Sequence, residues 1–300
     1  MKIRTTAMWS ACGLVALLWT PASLHAQTTS APPAQTPPAP AAQTTPPPPP
    51  QTSDPDVRID ALQPDFNLAA LPTTLRMPMH KLAFRVTHRF TRELGRGDFG
   101  DLVNDFFGFD SGARIGLELR YGLRPGTQIG VYRTSDRTLE IFGQQSVLQQ
   151  KPDGHPLSLD VIATFEGQNN MRAQKSSAIG LLVSRKVGKI AAVYAEPMYL
   201  FNTNFQPGGS GVDNDTSMIG LGARLRIRPA TYLVGEITPR MSRYKPGVNQ
   251  ASFGIEMRAG GHTFQINFSN GLSTTLGQLA LGGISNNSWF IGFNISRKFF

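Results

Sequence analysis

The sequence predicts an all-β protein: a closed antiparallel transmembrane β-barrel of about 12 strands, preceded by a disordered Pro-rich segment. Three observations predict it. From residue 81 onward apolar and polar residues alternate with period 2, the signature of strands whose two faces meet different surroundings. The connections between alternating stretches run long and short in turn. The polar face carries Arg, Glu, Gly, Asn and Ser rather than the Lys and Glu typical of a sheet washed by water.

The chain has 300 residues, 16% of them charged and 40% in the hydrophobic set, with a mean hydropathy of -0.19. Those values exclude a bundle of membrane helices, because each helix would need about 20 mostly apolar residues. The one apolar block, Ala7 to Trp19, follows Lys2 and Arg4 and ends before Pro21, with a small residue at Ala26. That order is the grammar of a cleavable signal peptide over residues 1–26. Cys12 lies inside the apolar run, so it is not read as a lipid attachment site, and cleavage would leave no cysteine for disulfide, thiolate or Cys-metal chemistry. Residues 27–56 hold 11 prolines among Ala, Gln, Thr and Ser and are expected to be a solvated, extended linker. Pro64, Pro72 and Pro78 forbid a long helix or central strand over 57–80, which is expected to be an irregular periplasmic lead-in to a barrel domain at 81–300.

Each strand is read from its own alternation. Leu82, Phe84, Val86, His88 and Phe90 oppose Arg85, Thr87 and Arg89. Ile115, Leu117, Leu119 and Tyr121 oppose Arg114, Gly116, Glu118 and Arg120. Leu157 to Phe165, Ile219 to Ile227, Phe253 to Met257 and Trp289 to Ile295 repeat the pattern. Weaker alternations at 127–135, 137–149, 177–187, 190–201, 231–241 and 262–270 bring the expected total to twelve. Apart from a tight turn near Asp136, odd-numbered connections are long and even-numbered ones short. A barrel with short periplasmic turns and longer external loops has this asymmetry, whereas a soluble sandwich has no reason for it. Aromatics such as Phe84, Phe90, Tyr121, Phe165, Tyr199, Phe201, Trp289 and Phe299 fall near strand ends, where interfacial girdles are expected.

Phe84-Arg85-Val86-Thr87-His88-Arg89-Phe90, Phe107-Gly108-Phe109-Asp110-Ser111-Gly112-Ala113 and Tyr121-Gly122-Leu123 together resemble an exported bacterial outer-membrane β-barrel family known only as a domain of unknown function. The likeness extends over roughly residues 70–300 and brings no reaction with it. Phe299-Phe300 also resembles the aromatic end by which outer-membrane barrels are recognised for assembly. Ile295, Phe293 and Ile291 fall in register with Phe299, while Arg297 interrupts the series.

Few residues suggest chemistry. His80, His88, His155 and His262 form no metal-binding spacing, and Met77, Met79 and His80 are read as lead-in rather than as a soft copper set. No His stands two residues before a Ser and there is no Gly-x-Ser-x-Gly, so the chain is not read as an enzyme. Gly95-Arg96-Gly97 and Gly208-Gly209-Ser210-Gly211 open no predicted helix and are read as loops. Asp213, Asn214 and Asp215 lack the spacing of a calcium loop. A short amphipathic helix is expected within 99–109, either constricting the lumen or lying on the outer surface. No cofactor is expected.

The remaining signal is the predicted interior. Arg85, Arg89, Arg114, Glu118, Arg120, Arg224, Arg226, Arg228, Glu236, Arg240, Glu256 and Arg258 are expected to line the lumen. Lys298, Glu140, Asp160, Glu166 and Glu196 join them, giving a modest positive excess. Such a wall serves either as paired ladders that fill and stiffen the barrel or as a narrow pore preferring small anionic solutes. The expected function is therefore a narrow channel in the outer membrane of a Gram-negative bacterium. The alternatives are a non-conducting barrel presenting loops and a periplasmic tether, and, less favoured, a lipid-modifying enzyme. Expected partners are outer-membrane lipid, lipopolysaccharide and the barrel assembly machinery. Nucleic acid is not expected, because the 27 basic residues left after cleavage are scattered rather than clustered. The sequence leaves the oligomeric state open.

Overall fold

Backbone N–H and C=O groups in contact with lipid have no water to pair with, so strands can cross a membrane only when every edge is closed. The computed structural model, which describes residues 58–204 and 213–300, has that closure. The signal peptide, the Pro-rich linker and the Gly208-Gly211 loop lie outside the described residues. The strands are β1 (Leu82–Phe90), β2 (Ala113–Arg124), β3 (Thr127–Thr134), β4 (Leu139–Leu148), β5 (Ser158–Gly167), β6 (Ala173–Val187) and β7 (Ala191–Phe201). They continue with β8 (Thr216–Arg228), β9 (Thr231–Thr238), β10 (Arg240–Arg243), β11 (Gln250–Ala259), β12 (His262–Ser269) and β13 (Phe290–Lys298).

Each strand pairs antiparallel with its neighbours, and β1 pairs with β13 from Ala83↔Lys298 to Arg89↔Gly292, closing the sheet on itself. Thirteen segments make twelve staves, because β9 and β10 are one stave interrupted at Pro239. That proline has no N–H to give, but its carbonyl still accepts from the Ile219 N–H at 2.9 Å. Pro197, inside β7, sits where the β6–β7 pairing lapses between Gly180↔Met198 and Val183↔Ala195.

The expected asymmetry of connections is present in part: at the loop end β5–β6 has only five residues (168–172), fewer than the nine of β4–β5 (149–157) at the other end. Tight turns join β2 to β3, β6 to β7, β8 to β9 and β11 to β12 at one end, where β1 begins and β13 ends. Loops cluster at the other end, including the short β3–β4 turn around Asp136. Strand β6 starts at Ala173, earlier than the alternation indicates, because Gln174, Lys175 and Ser176 are polar on both faces and hide the period. The expected short helix forms at Phe99–Asn104, with Asp98 and Asp101 completing a reciprocal cap. It lies outside the lumen: Phe109, just beyond it, packs edge-on against Phe90 of the outer wall at 5.0 Å between ring centroids.

Side-chain exposure inverts the pattern of a soluble protein. Outward rows such as Leu117, Leu119 and Ile141, or Phe253, Ile255 and Met257, are apolar and exposed, while their polar neighbours in sequence are buried. Phe84, Phe165, Phe201 and Phe299 stand exposed on the outer wall near strand ends. Phe299 faces outward and its N–H reaches the Leu82 carbonyl at 2.9 Å. Phe300 instead packs with Phe66, Leu75, Met77 and Ala83.

The outer wall yields a direct test. Ile255 lies midway along β11, so Ile255→Arg should cost about 2–4 kcal/mol of stability in lipid. Urea unfolding of protein refolded into vesicles measures it, and a loss below about 0.5 kcal/mol, as for an ordinary surface site, would show that this face does not meet acyl chains.

Candidate functional site: the plugged lumen

The lumen is not an open, wet passage. Residues 58–80, expected to lie outside the barrel, are irregular as their prolines require, but Leu62 to Met77 lie almost wholly buried inside it. This corrects the lead-in assignment. The segment enters at the tight-turn end, where Asp60 pairs with Lys186 of β6 at 2.7 Å. It doubles back around Asn67–Pro72, with the Leu68 N–H on the Leu71 carbonyl at 2.8 Å and the Thr73 N–H on the Phe66 carbonyl at 2.7 Å. It then returns to the β2–β3 side, where the Leu75 carbonyl accepts from Gln128, before β1 begins.

From the opposite end the β12–β13 loop also folds inward. Its helix, Leu276–Ala280, is buried throughout. Glu140 and Glu166 take the backbone N–H groups of Leu276 and Gly277, each at 3.2 Å. Arg240 donates to the carbonyls of Pro246, Ala280 and Leu281. The Gln278 amide reaches Asp136 and Thr138 of the short β3–β4 connection. The two inserts meet: Leu68 and Leu71 share an apolar cluster with Leu276, Leu279, Tyr194, Met198 and Val234. Between them, among Asn67, Glu118, Arg120, Tyr132, Glu140 and Thr274, a cavity of about 20 Å³ remains. That is room for about one water.

The wall holds the hairpin chiefly by its main chain. Glu236 of β9 accepts from three consecutive amides, those of Ala69, Ala70 and Leu71, all at 3.0 Å. The Ala69 carbonyl accepts from Arg85 at 2.6 Å, Asn294 at 2.9 Å and Arg89 at 3.2 Å. Arg224 donates to the Asn67 carbonyl, Gln265 to Leu68, Gln144 to Thr73, Tyr232 to Ala61 and Thr263 to Pro64. Side-chain contacts add to these. Asp65 pairs with Lys298 at 3.2 Å and accepts from Ser296 at 2.6 Å, and the Arg120 guanidinium lies between the rings of Phe66 and Phe142. Gly220 and Gly222 on the inner face of β8 make room for the hairpin. A Cβ on Gly220 would stand 2.8 Å from a Leu71 methyl, and one on Gly222 would overlap a Leu68 methyl.

Of the twelve residues expected to line the lumen, Arg85, Arg89, Glu118, Arg120, Arg224, Glu236, Arg240 and Glu256 are buried inside it. The other four are not. Arg114 is half-buried at the loop end, paired with Asp136 at 3.3 Å. Arg226 is half-buried at the tight-turn end with its guanidinium on the Pro229 carbonyl, and Arg258 is half-buried at the same end. Arg228 is exposed, beyond a bulge between Arg226 and Arg228. Their strands run past the filled part of the barrel, so an inward register alone does not enclose them. The enclosed wall keeps six basic groups, Arg85, Arg89, Arg120, Arg224, Arg240 and Lys298. It keeps seven acidic ones, Glu118, Glu140, Asp160, Glu166, Glu196, Glu236 and Glu256. The expected positive excess is therefore absent from the enclosed wall. Arg224 and Glu256 pair at 3.0 Å, as do Arg120 and Glu118 at 2.8 Å, whereas both Glu196 carboxylate oxygens lack a hydrogen-bond partner among the described residues.

Other candidates disperse. Met77 is buried beside Phe66 while His80 bonds Tyr121, so they form no joint metal site. His88 stacks on Phe293 and His262 meets Arg297, both on the outer wall. Asp213 pairs with Arg243, and Asp215 accepts from Tyr199 and the Asn202 N–H. Among the described residues no cluster of His, Cys, Asp and Glu could hold a metal.

A family model described as membrane bound beta barrel domain (DUF5777) matches residues 65–299. No curated protein sequence matches. Among solved structures, the chain is similar to the NanC porin at 10% identity, covering 72% of this chain and 97% of that one with a TM-score of 0.48. It is also similar to an outer membrane channel from Pseudomonas putida F1, at 11% identity, 74% and 97% coverage and a TM-score of 0.47. Outer membrane phospholipase A from Escherichia coli gives 10% identity, 73% and 90% coverage and a TM-score of 0.41. At these values none of the three carries an activity or solute to this chain.

The fit of hairpin to wall generates a prediction. Gly222→Val places a branched side chain where Leu68 now sits, and overpacking of this kind costs about 1–3 kcal/mol. Relief by withdrawal of the hairpin should make the bond after Arg76 roughly tenfold more susceptible to trypsin, with the barrel strands still protected. Unchanged cleavage in a folded variant would show that the hairpin is not seated against β8.

Proposed function

The chain belongs to the membrane bound beta barrel domain family, and we propose that it is an outer-membrane channel of narrow bore, held closed by its own residues 62–77. One observation carries this reading: the wall grips the hairpin mainly through main-chain carbonyls and amides, which water can satisfy equally well once the hairpin leaves. A permanent core gains most from apolar packing, and replacing buried ion pairs with hydrophobic residues is often neutral or stabilising. The charged groups facing the hairpin have a clear use if they become the lining of an open passage. The signal peptide, the short turns at the end where both chain termini of the barrel lie, and Phe299 at the outward end of β13 fit export and assembly into the outer membrane. Lipid and lipopolysaccharide would cover the apolar wall. No catalytic role is assigned.

A second reading, a non-conducting barrel that presents loops and tethers the Pro-rich segment, is favoured by the apolar cluster joining Leu68 and Leu71 to Leu276 and Leu279. Planar bilayer recording separates the two. The wild-type protein should be almost silent. Glu236→Ala leaves three amides without their acceptor, at about 1–3 kcal/mol for each one left buried, and should produce discrete openings. Removal of residues 62–77 should do the same. If both variants fold, judged by heat-modifiable migration on gels, and neither conducts, the barrel is structural rather than a channel.

A further inference from the structure

Ala69 of the hairpin is held at both ends of one residue. Its N–H points to the Glu236 carboxylate, and its carbonyl oxygen takes Arg85, Arg89 and Asn294 together. A neutral carbonyl is a weak acceptor for two buried guanidinium groups. Arg89 has no carboxylate within ion-pairing distance among the described residues, and it is almost fully buried. Among the described residues Arg85 has only Glu118, at 3.6 Å, which Arg120 already engages at 2.8 Å. The Nε donors of Arg85 and Arg89 are both buried without an acceptor among the described residues. The clasp thus offers more positive charge and more donors than the hairpin uses. On the other side of the same residue, a full carboxylate is spent on uncharged amides.

A ligand able to replace Ala69 with stronger pairing must carry an anion where its carbonyl lies and a cation where its N–H lies. Both atoms belong to one residue, so covalent geometry fixes the separation at that between the nitrogen and a carboxyl oxygen of an α-amino acid. We propose that Arg85, Arg89 and Asn294 with Glu236 form a binding site for α-amino-acid zwitterions, which the Ala69 main chain occupies in the closed state. The carboxylate would take the two guanidiniums and the ammonium would take Glu236, replacing hydrogen bonds that are charged on one side only with bonds charged on both. The hairpin is then a competitor for the site, and a ligand that binds only the vacated wall draws the equilibrium toward withdrawal in proportion to its concentration. Because the clasp reads main-chain groups, it discriminates the zwitterion rather than the side chain. This inference rests on the proposal that the hairpin leaves the lumen, and gives that channel a class of solute.

Hydrogen exchange followed by mass spectrometry on the refolded full-length chain tests it, with L-alanine as probe. At about 100 mM L-alanine the amides of Ala69, Ala70 and Leu71 should exchange roughly threefold faster or more, if that concentration exceeds the dissociation constant a few times. Sodium chloride, sodium acetate and methylammonium chloride at equal concentration should each leave the rate unchanged. Arg89→Gln should abolish the response to L-alanine, Asn294→Ala should reduce it, and Arg226→Gln, remote from the clasp, should retain it. If Arg89→Gln fails to fold, the Asn294→Ala and Arg226→Gln pair still decides. No acceleration by L-alanine, or equal acceleration by acetate or by salt, overturns the site. The two proposals fail separately: acceleration without conductance leaves the site standing and removes the channel, and conductance without acceleration does the reverse.

Discussion

A peptide group taken out of water must be given a partner, and this constraint is met twice in the same molecule. In the wall it is met by closure, with β1 completing its ladder on β13 so that no edge faces lipid. Inside, Leu62–Met77 joins no strand of the wall, and its carbonyls and amides are satisfied partly within the hairpin and partly, one by one, by side chains from the wall. Much of what resembles a pore lining is therefore the hydrogen-bonding complement of an irregular peptide. Arg, Gln, Asn and Glu from the strands, with Tyr232 and Thr263, reach that peptide, which accounts for an interior that is polar and nevertheless filled.

The barrel was legible in the sequence because alternation is a local property. Leu117 and Leu119 against Glu118 and Arg120 declare two faces without reference to any other strand. The contents of the barrel were not legible in that way. Glu236 meets Ala69, Ala70 and Leu71 across more than 160 residues of chain, and nothing in either segment names the other. Signals did exist. Leu62, Phe66, Leu68, Leu71, Leu75 and Met77 are too apolar for a segment that stays in water, and Gly220 and Gly222 are small on the face that otherwise carries long polar side chains. The prolines showed what 57–80 could not be without showing where it goes. The same limit explains Arg114, Arg226, Arg228 and Arg258: alternation gives the side of the wall and is blind to height along it.

The charges inside are arranged by neighbourhood more than by net sum. Arg85, Arg89, Arg120 and Lys298 lie on β1, β2 and β13, which are adjacent around the wall, with Glu118 among them, while Glu140, Asp160, Glu166, Glu196 and Glu236 lie on β4, β5, β7 and β9, with Arg240 on β10 beside them. The Ala69 peptide lies between the two groups, its carbonyl toward Arg85 and its N–H toward Glu236. Arg224 and Glu256 on β8 and β11 neutralise each other instead and anchor the Asn67 carbonyl.

The hairpin also precedes the wall in the chain, and Lys81 alone separates His80 from β1. Asp65 is fastened to Ser296 and Lys298, on the strand that forms the last seam with β1. Strand β13 therefore closes the cylinder on β1 and clasps its filling with the same residues' side chains, so the seam and the plug share one fastening: loosening Asp65 would slacken the bore at the joint where the wall meets itself.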